Sequence, residues 1–218
     1  MARERELKYD LGSEAATRRV EALLGPAPGG RLQVNRFFDT PDGRLRARLW
    51  ALRLRAEWEV GGDVDLPGDG AAPDRAPDRV ILGLKGAREG SGAFHDRQEE
   101  ERDRGADFWA RGVLAGEDLP GAWRALLPPL PPSPGGALVE RARFTNLRRA
   151  CPLTGAWRAE VDRTLFGDGR RAWEVEVEIG IDDDPEAART ELEALLARAG
   201  VPAVPQGKSK LERALAVD

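Results

Sequence analysis

The chain has 218 residues, with 34 Lys and Arg against 38 Asp and Glu and a formal charge of −4, which is the size of about one domain near charge balance. A third of the residues are charged and 41% are hydrophobic, enough apolar material for a core. No apolar run approaches the ~18 residues of a membrane span, and the N-terminus, MARERELKYD, is charged from its third residue with no signal-peptide core behind it, so a soluble, cytoplasmic protein with no membrane contact is expected. A single cysteine, Cys151, cannot close an internal disulfide, and a single histidine, His95, cannot build a zinc site. Any catalytic metal therefore falls to carboxylates.

In chain order, Glu4, Glu6 and Lys8 alternate with Arg5, Leu7 and Tyr9, so a strand here carries all three charges on one face. Ser13 caps an amphipathic helix with Val20, Leu23 and Leu24 on one side, stopped by Gly25-Pro26. Strands follow at Gln33–Asp39, ending in a Thr40-Pro41-Asp42-Gly43 turn, and at Leu49–Glu57, where Arg53 and Arg55 oppose Leu52 and Leu54. Residues 61–78 are rich in Gly, Pro, Asp and Ala without periodicity, and a mobile insertion is expected there, either a lid over a site or a tolerated loop.

Val80–Gly86 reads as a short apolar strand carrying Lys85, and Phe94–Asp103 as a strand with Arg97, Glu99 and Glu101 on one side, although Asp96, Gln98 and Glu100 leave its other side polar too. Short helices are expected at Ala106–Leu114 and Gly121–Leu127, then a proline connector at 128–136. Alternating segments follow at Leu138–Phe144 (Arg141, Arg143), Trp157–Phe166 (Glu160, Asp162) and Trp173–Ile181 (Glu174, Glu176, Glu178). Asp184-Pro185 opens the last clear helix, ended by Gly200, and a basic tail carries Lys210. About eight strands joined by connections too short for parallel crossovers imply a mainly β (α+β) antiparallel sheet or barrel in one domain over 1–218.

One polar strand face is ordinary, because antiparallel sheets often keep one face wet. Repetition over the strands is not, since like charges along a face repel unless something compensates them. Turned inward in a barrel, these faces make a lining of Lys8, Arg53, Arg55, Lys85, Arg97, Arg141, Arg143 and Lys210 facing Glu4, Glu6, Glu99, Glu101, Glu160, Asp162, Glu174, Glu176 and Glu178. A polyphosphate satisfies both sets, with Arg and Lys on its oxygens and carboxylates holding bridging divalent cations. Weaker signals are set aside. Gly207-Lys208-Ser209 lacks the first glycine of a P-loop, Pro202 standing there instead. Cys151 and His95 lie in no nucleophile-like context, and the negative net charge with no interleaved aromatics argues against nucleic acid.

These residues resemble an ordered set of motifs. Glu4-Arg5-Glu6-Leu7-Lys8 is similar to the ExExK signature of the CYTH superfamily, the triphosphate tunnel metalloenzymes. Phe37–Pro41 resembles its FDTP turn, Ala51–Arg55 its ALRxR strand, Leu84–Gly86 its LKG strand, Arg97–Glu101 its RxExE strand, Trp173–Glu178 its ExExE strand and Ser209–Arg213 its SKxxR element. The resemblance spans Glu4 to about Arg213 and leaves out 61–78 and the proline connector.

It implies an eight-stranded antiparallel β-barrel tunnel with flanking helices that takes a small triphosphate with Mg2+ or Mn2+. The implied activity is hydrolysis of inorganic tripolyphosphate or of an organic triphosphate such as thiamine triphosphate. Adenylate cyclisation to cyclic AMP is the enzymatic alternative, and a non-catalytic polyphosphate or nucleotide sensor the other. Glu4, Glu6 and Lys8 are the expected catalytic group, and Lys8, Arg53, Arg55, Lys85, Arg97, Arg141, Arg143 and Lys210 the expected substrate ligands. Glu4, Glu6, Glu99, Glu101, Asp162, Glu174, Glu176 and Glu178 are the expected metal ligands. Asp39 reads as a turn-former that bonds its own backbone. A monomer or homodimer is expected.

Overall fold

The computed structural model describes residues 2–27, 29–62, 64–126, 137–154 and 157–216. The long strands are β1 (Ala2–Asp10), β2 (Gly30–Asp39), β3 (Ala51–Val60), β4 (Arg79–Glu89), β5 (Phe94–Arg104), β7 (Ala137–Pro152), β8 (Arg158–Phe166) and β9 (Arg171–Glu178). They pair antiparallel in the order β1-β5-β4-β3-β2-β7-β8-β9, and β9 returns to β1 with Glu6 opposite Glu178 and Lys8 opposite Glu176. The sheet is a closed eight-stranded barrel with no free edge to protect. Two-residue strands β6 (Leu114–Ala115) and β10 (Val204–Pro205) flank β7 and β1.

Alternation along most strands sends charge inward and hydrocarbon outward, so the apolar core lies outside the barrel wall. Over β2, β3 and β4, the outward residues Leu32, Leu54, Trp58 and Leu82 are buried beneath Leu66, Leu114, Leu119 and Trp123. The covering layer includes α3 (Ala106–Ala110), a 3-10 turn at Gly116–Asp118 and α4 (Gly121–Leu126). Over β1, β8 and β9, Leu7, Tyr9, Val161 and Val177 pack against Val20 of α1 (Glu14–Leu24) and Leu192, Leu195 and Leu196 of α5 (Pro185–Arg198). No helix among the described residues is long and apolar enough to cross a membrane.

The local signals read from the sequence operate as expected. Ser13 Oγ accepts from Ala16 N at 3.2 Å, and Gly25 ends α1 at φ 84, a backbone angle glycine adopts without strain. Asp39 accepts from the backbone nitrogens of Thr40, Leu45 and Arg46, folding the 40–43 turn into the short helix α2 (Arg44–Ala47). The two polar faces of β5 also have a reason: its outward Gln98 and Arg102 are exposed to solvent.

The 61–78 insertion lies along the outer wall rather than across a mouth. Leu66 is buried in the outer core, Thr145 Oγ1 donates to the Gly70 carbonyl at 2.6 Å, and Trp58 Nε1 donates to the Arg75 carbonyl at 3.0 Å. The proline connector at 128–136 lies outside the described residues.

Helix α1 is tied to the barrel by charge as well as packing. Arg163, on the outer face of β8, reaches Glu21 at 2.6 Å and Glu14 at 3.1 Å, and Trp173 Nε1 donates to Glu14 at 2.9 Å. Burial opposes the charge on both carboxylates, but the Arg163 guanidinium outweighs it and holds them below the ordinary 4.5. Depressed carboxyl pKa values make this stabilisation complete above pH 4.5 and lost as pH falls through the folded-state values. Arg163→Met should cost about 2 kcal/mol near neutrality, less than a fully buried pair because Glu14 is partly open to solvent. Urea unfolding at a series of pH values should show the difference from wild type closing in acid.

Candidate active site

The barrel encloses a cavity of about 480 Å³. Its lining becomes less exposed from one end to the other: Arg31 (43%) and Glu101 (30%) stand at the mouth, whereas Glu176 (6%) and Lys8 (4%) lie deep. The deep end is blind. Helix α6 (Lys210–Leu215), capped by Ser209 and Glu212, lays Leu211, Ala214 and Leu215 on a cluster of Phe37, Phe144 and Phe166 whose neighbouring rings are 5.6 and 5.9 Å apart. Lys210, read from the sequence as part of a basic tail, is the first residue of this closing helix, and its side chain enters the tunnel.

Two ion-pair networks share the interior. On the β1-β5-β4-β3 side, Lys85 Nζ lies 2.9 Å from both Glu4 and Glu99, Arg97 meets Glu4 at 2.7 Å, and Arg53 meets Glu101 at 2.6 Å and Glu99 at 3.3 Å. Arg55 joins Glu57 at 2.9 Å and Glu101 at 3.2 Å. On the β1-β9-β8-β7 side, Lys8 bridges Glu176 at 2.9 Å and Glu6 at 3.1 Å. Lys210 Nζ gathers Glu176, Asp162 and Glu174 within 2.6–2.8 Å, and Arg213 meets Glu174 at 2.7 Å. Arg148 binds Glu176 at 2.5 Å, Asp162 at 2.6 Å, and Glu160.

The electrostatics follow from that crowding. Burial opposes the charge on Lys8, but Glu176 and Glu6 outweigh it and raise its pKa. Lys85 goes the other way: burial and then Arg97 lower it against the pull of Glu4. Burial and the neighbouring Arg53 bring Arg55 down to about 10. Burial raises Glu99, whereas Glu176 is driven well below the ordinary carboxylate range by Lys210, Lys8 and Arg148 despite its burial. Two buried donors in the lining, Asn35 Nδ2 and Arg53 Nε, have no hydrogen-bond partner among the described residues, an arrangement suited to an acceptor-rich ligand.

Most of the residues singled out from the sequence meet here: Glu4, Glu6, Lys8, Arg53, Arg55, Lys85, Arg97, Glu99, Glu101, Glu176, Glu178 and Lys210 all line the cavity. Asp162 and Glu174 are fully buried behind it, held by Lys210, Arg148 and Arg213. Arg141 and Arg143 do not reach the tunnel. Arg141 donates to the Thr40 and Pro41 carbonyls, and Arg143 is exposed and paired with Glu140. The register between β2 and β7 shifts at Phe37/Phe38, so Ala142, Phe144, Asn146 and Arg148 form the inward set. A one-residue change of parity moves a strand's side chains to the opposite face.

The cation that β7 does contribute, Arg148, was missed because the strand was expected to end at Phe144; it runs on to Pro152. The available signal was Phe144, Asn146, Arg148 at alternate positions. Gln33 and Asn146 were missed as well. They extend a buried chain in which Thr164 donates to Asn146, Asn146 to Gln33 and Gln33 to Glu57, at 2.9–3.2 Å.

No family model matches the sequence, and no curated protein matches it. Solved structures do match the fold. A Hippeastrum protein, HpAC1, described as an adenylyl cyclase candidate with a dominant triphosphatase activity, is 24% identical with a TM-score of 0.78 over 97% of this chain and 94% of its own. A candidate adenylate cyclase from Bacillus halodurans is 19% identical, with a TM-score of 0.62 over 98% of each chain. The RNA triphosphatase domain of a mimivirus mRNA capping enzyme is 13% identical, with a TM-score of 0.53 over 90% of this chain and 88% of its own. The fold is the triphosphate tunnel that the resemblance to the CYTH superfamily implies.

The exchange of β7 residues is testable by binding alone. With tripolyphosphate, the ligand that the CYTH resemblance implies, as probe, Arg148→Gln should weaken affinity by about tenfold or more, as loss of a charge-assisted fork contact implies. Arg143→Gln, at an exposed pair, should change it by less than about twofold. Titration calorimetry, with circular dichroism to confirm folding, measures both.

Proposed function

We propose that the tunnel hydrolyses a terminal phosphoanhydride of a small triphosphate, inorganic tripolyphosphate first, with the help of Mg2+ or Mn2+. The observation that carries this reading is the convergence of Lys8, Arg53, Arg55, Lys85, Arg97, Arg148 and Lys210 on one blind cavity whose carboxylates already compensate them. A phosphate chain supplies acceptors to every one of these cations, and the arginine forks suit two-oxygen contacts.

The donor set fits a hard divalent cation, because carboxylate and phosphate oxygens are the ligands Mg2+ takes. Among the described residues no group of three acids stands ready to hold a metal by itself, since the lining glutamates are engaged by cations. Glu4, Glu6 and Glu176 are the residues that would hold it, sharing it with phosphate oxygens. When bound, the cation neutralises charge on the phosphoryl oxygens and acidifies a water.

The chain itself supplies positioning and electrostatics, which dominate phosphoryl transfer. Arg53, Arg55 and Arg148 orient the chain, and Lys8 and Lys85 place ammonium donors deep in the site. The phenylalanine and α6 stopper excludes water from the far end. The apolar residues of the lining, Phe37, Ala51, Phe144 and Leu211, belong to the closed end. Among the described residues the mouth therefore has no aromatic platform for a base or a thiazole, which favours the inorganic chain over ATP and makes cyclisation the weaker reading.

Purified protein with Mg2+ or Mn2+ should release phosphate from tripolyphosphate faster than from thiamine triphosphate or ATP, and should form no cyclic AMP from ATP. Cyclic AMP with pyrophosphate, or tight binding without turnover, would replace this reading by a cyclase or a sensor. Glu4→Gln or Glu6→Gln should reduce metal-dependent turnover by at least about a hundredfold, because each contributes to charge compensation at the reacting phosphoryl.

A further inference from the structure

The charge at the mouth differs from the charge within. Of the cations there, Arg31 is shared by Glu59 at 3.2 Å and Glu57 at 3.9 Å, and Arg3 by Glu89 at 2.8 Å and Asp96 at 2.9 Å. Opposite them, β8 and β9 bring Glu160 and Glu178 to the opening, Glu160 partly exposed and Glu178 exposed. Glu160 shares Arg148 with Asp162 and Glu176, and Glu178 has no ion-pair partner among the described residues. Among the described residues, each cation at the mouth is thus shared by two acids while Glu178 has no cation, and the opening carries an excess of acid.

We infer that Glu160 and Glu178 are specificity-determining residues that limit the length of the phosphate chain the tunnel accepts. The inference rests on the triphosphatase reading for its substrate and on the geometry of the mouth for its direction. A linear chain enters leading end first, because the far end is closed by α6. Its first phosphates meet Lys8, Lys85, Arg53 and Arg148. Each further phosphate stands closer to the mouth, beside Glu160, already paired with Arg148, and Glu178, which has no cation among the described residues, and like charges within a few ångströms raise its free energy. The same repulsion acts on any substrate whose anionic part continues past the tunnel.

Because the mouth is open to solvent while the deep site is not, salt acts unequally on the two. Screening weakens repulsion between exposed charges and leaves buried pairs nearly untouched. Discrimination against long chains should therefore relax as ionic strength rises, an effect that a purely steric limit would not show.

The test compares tetrapolyphosphate with tripolyphosphate in wild type, Glu160→Gln, Glu178→Gln and the double variant. Both kcat/KM and calorimetric affinity are measured at low and high KCl, together with Mn2+ affinity. The expected result is a rise of about fivefold in the tetra-to-tri ratio for each carboxylate removed, a salt-dependent ratio in wild type and a nearly flat one in the double variant. A ratio unmoved by the substitutions overturns the inference. So does a loss of Mn2+ affinity in the double variant, which would make these residues cation ligands. Failure of wild type to hydrolyse either anion would count against the triphosphatase reading alone, since the affinity ratios still test the filter.

Discussion

A charge withdrawn from water must be paired, and this barrel withdraws many of them at once. The rest of the architecture follows from that constraint. The interior cannot be the hydrophobic core, so apolar side chains are sent through the wall and buried beneath α1 and α5 on one side and α3, α4 and the 61–78 segment on another. Within, each lysine is held by more than one acid: Lys85 has Glu4 and Glu99, Lys8 has Glu6 and Glu176, and Lys210 has Asp162, Glu174 and Glu176. Such a lattice contributes little net stability, because desolvation offsets most of the attraction. It does hold each side chain in one place before any ligand arrives, and preorganisation of that kind is what binding and phosphoryl transfer require.

Much of this was legible in the sequence because a barrel turns alternation into an inside and an outside. Arg53 and Arg55 against Leu52 and Leu54, or Glu174 and Glu176 against Val175 and Val177, state both faces of the wall within a few residues. The reading failed where alternation loses its phase. On β7 the apolar residues of the 138–144 stretch give no single face, and the register irregularity that resets parity depends on β2, more than a hundred residues away in the chain. The length of β7 was hidden for a related reason: beyond Phe144 its inward positions are Asn146, Arg148 and Ala150, which look like surface until the tunnel is known to be polar.

The insertion shows the opposite limit. Its composition marks a loop correctly, yet its path is set by a few contacts, Leu66 in the outer core and single hydrogen bonds from Thr145 and Trp58, which carry no signature in the sequence. Helix α6 is intermediate. Its capping pair, Ser209 and Glu212, is readable, but its role as a stopper depends on Phe37, Phe144 and Phe166, contributed by three different strands.

The paired interior also bears on what kind of ligand suits the tunnel. An anion that takes Arg53 or Lys85 as its partner leaves Glu99, Glu101 or Glu4 without one, and a buried carboxylate stripped of its cation costs several kcal/mol. A divalent cation alone meets the mirror problem, since it must displace ammonium and guanidinium groups that have nowhere else to pair. On the proposed triphosphatase reading, the arginines and lysines would pair with phosphate oxygens and the carboxylates they release would hold the metal, leaving no charge uncompensated. Anion and cation binding would then be coupled, each raising the affinity for the other by the same factor. The near balance of acids and bases in the composition is the form this coupling would take in sequence.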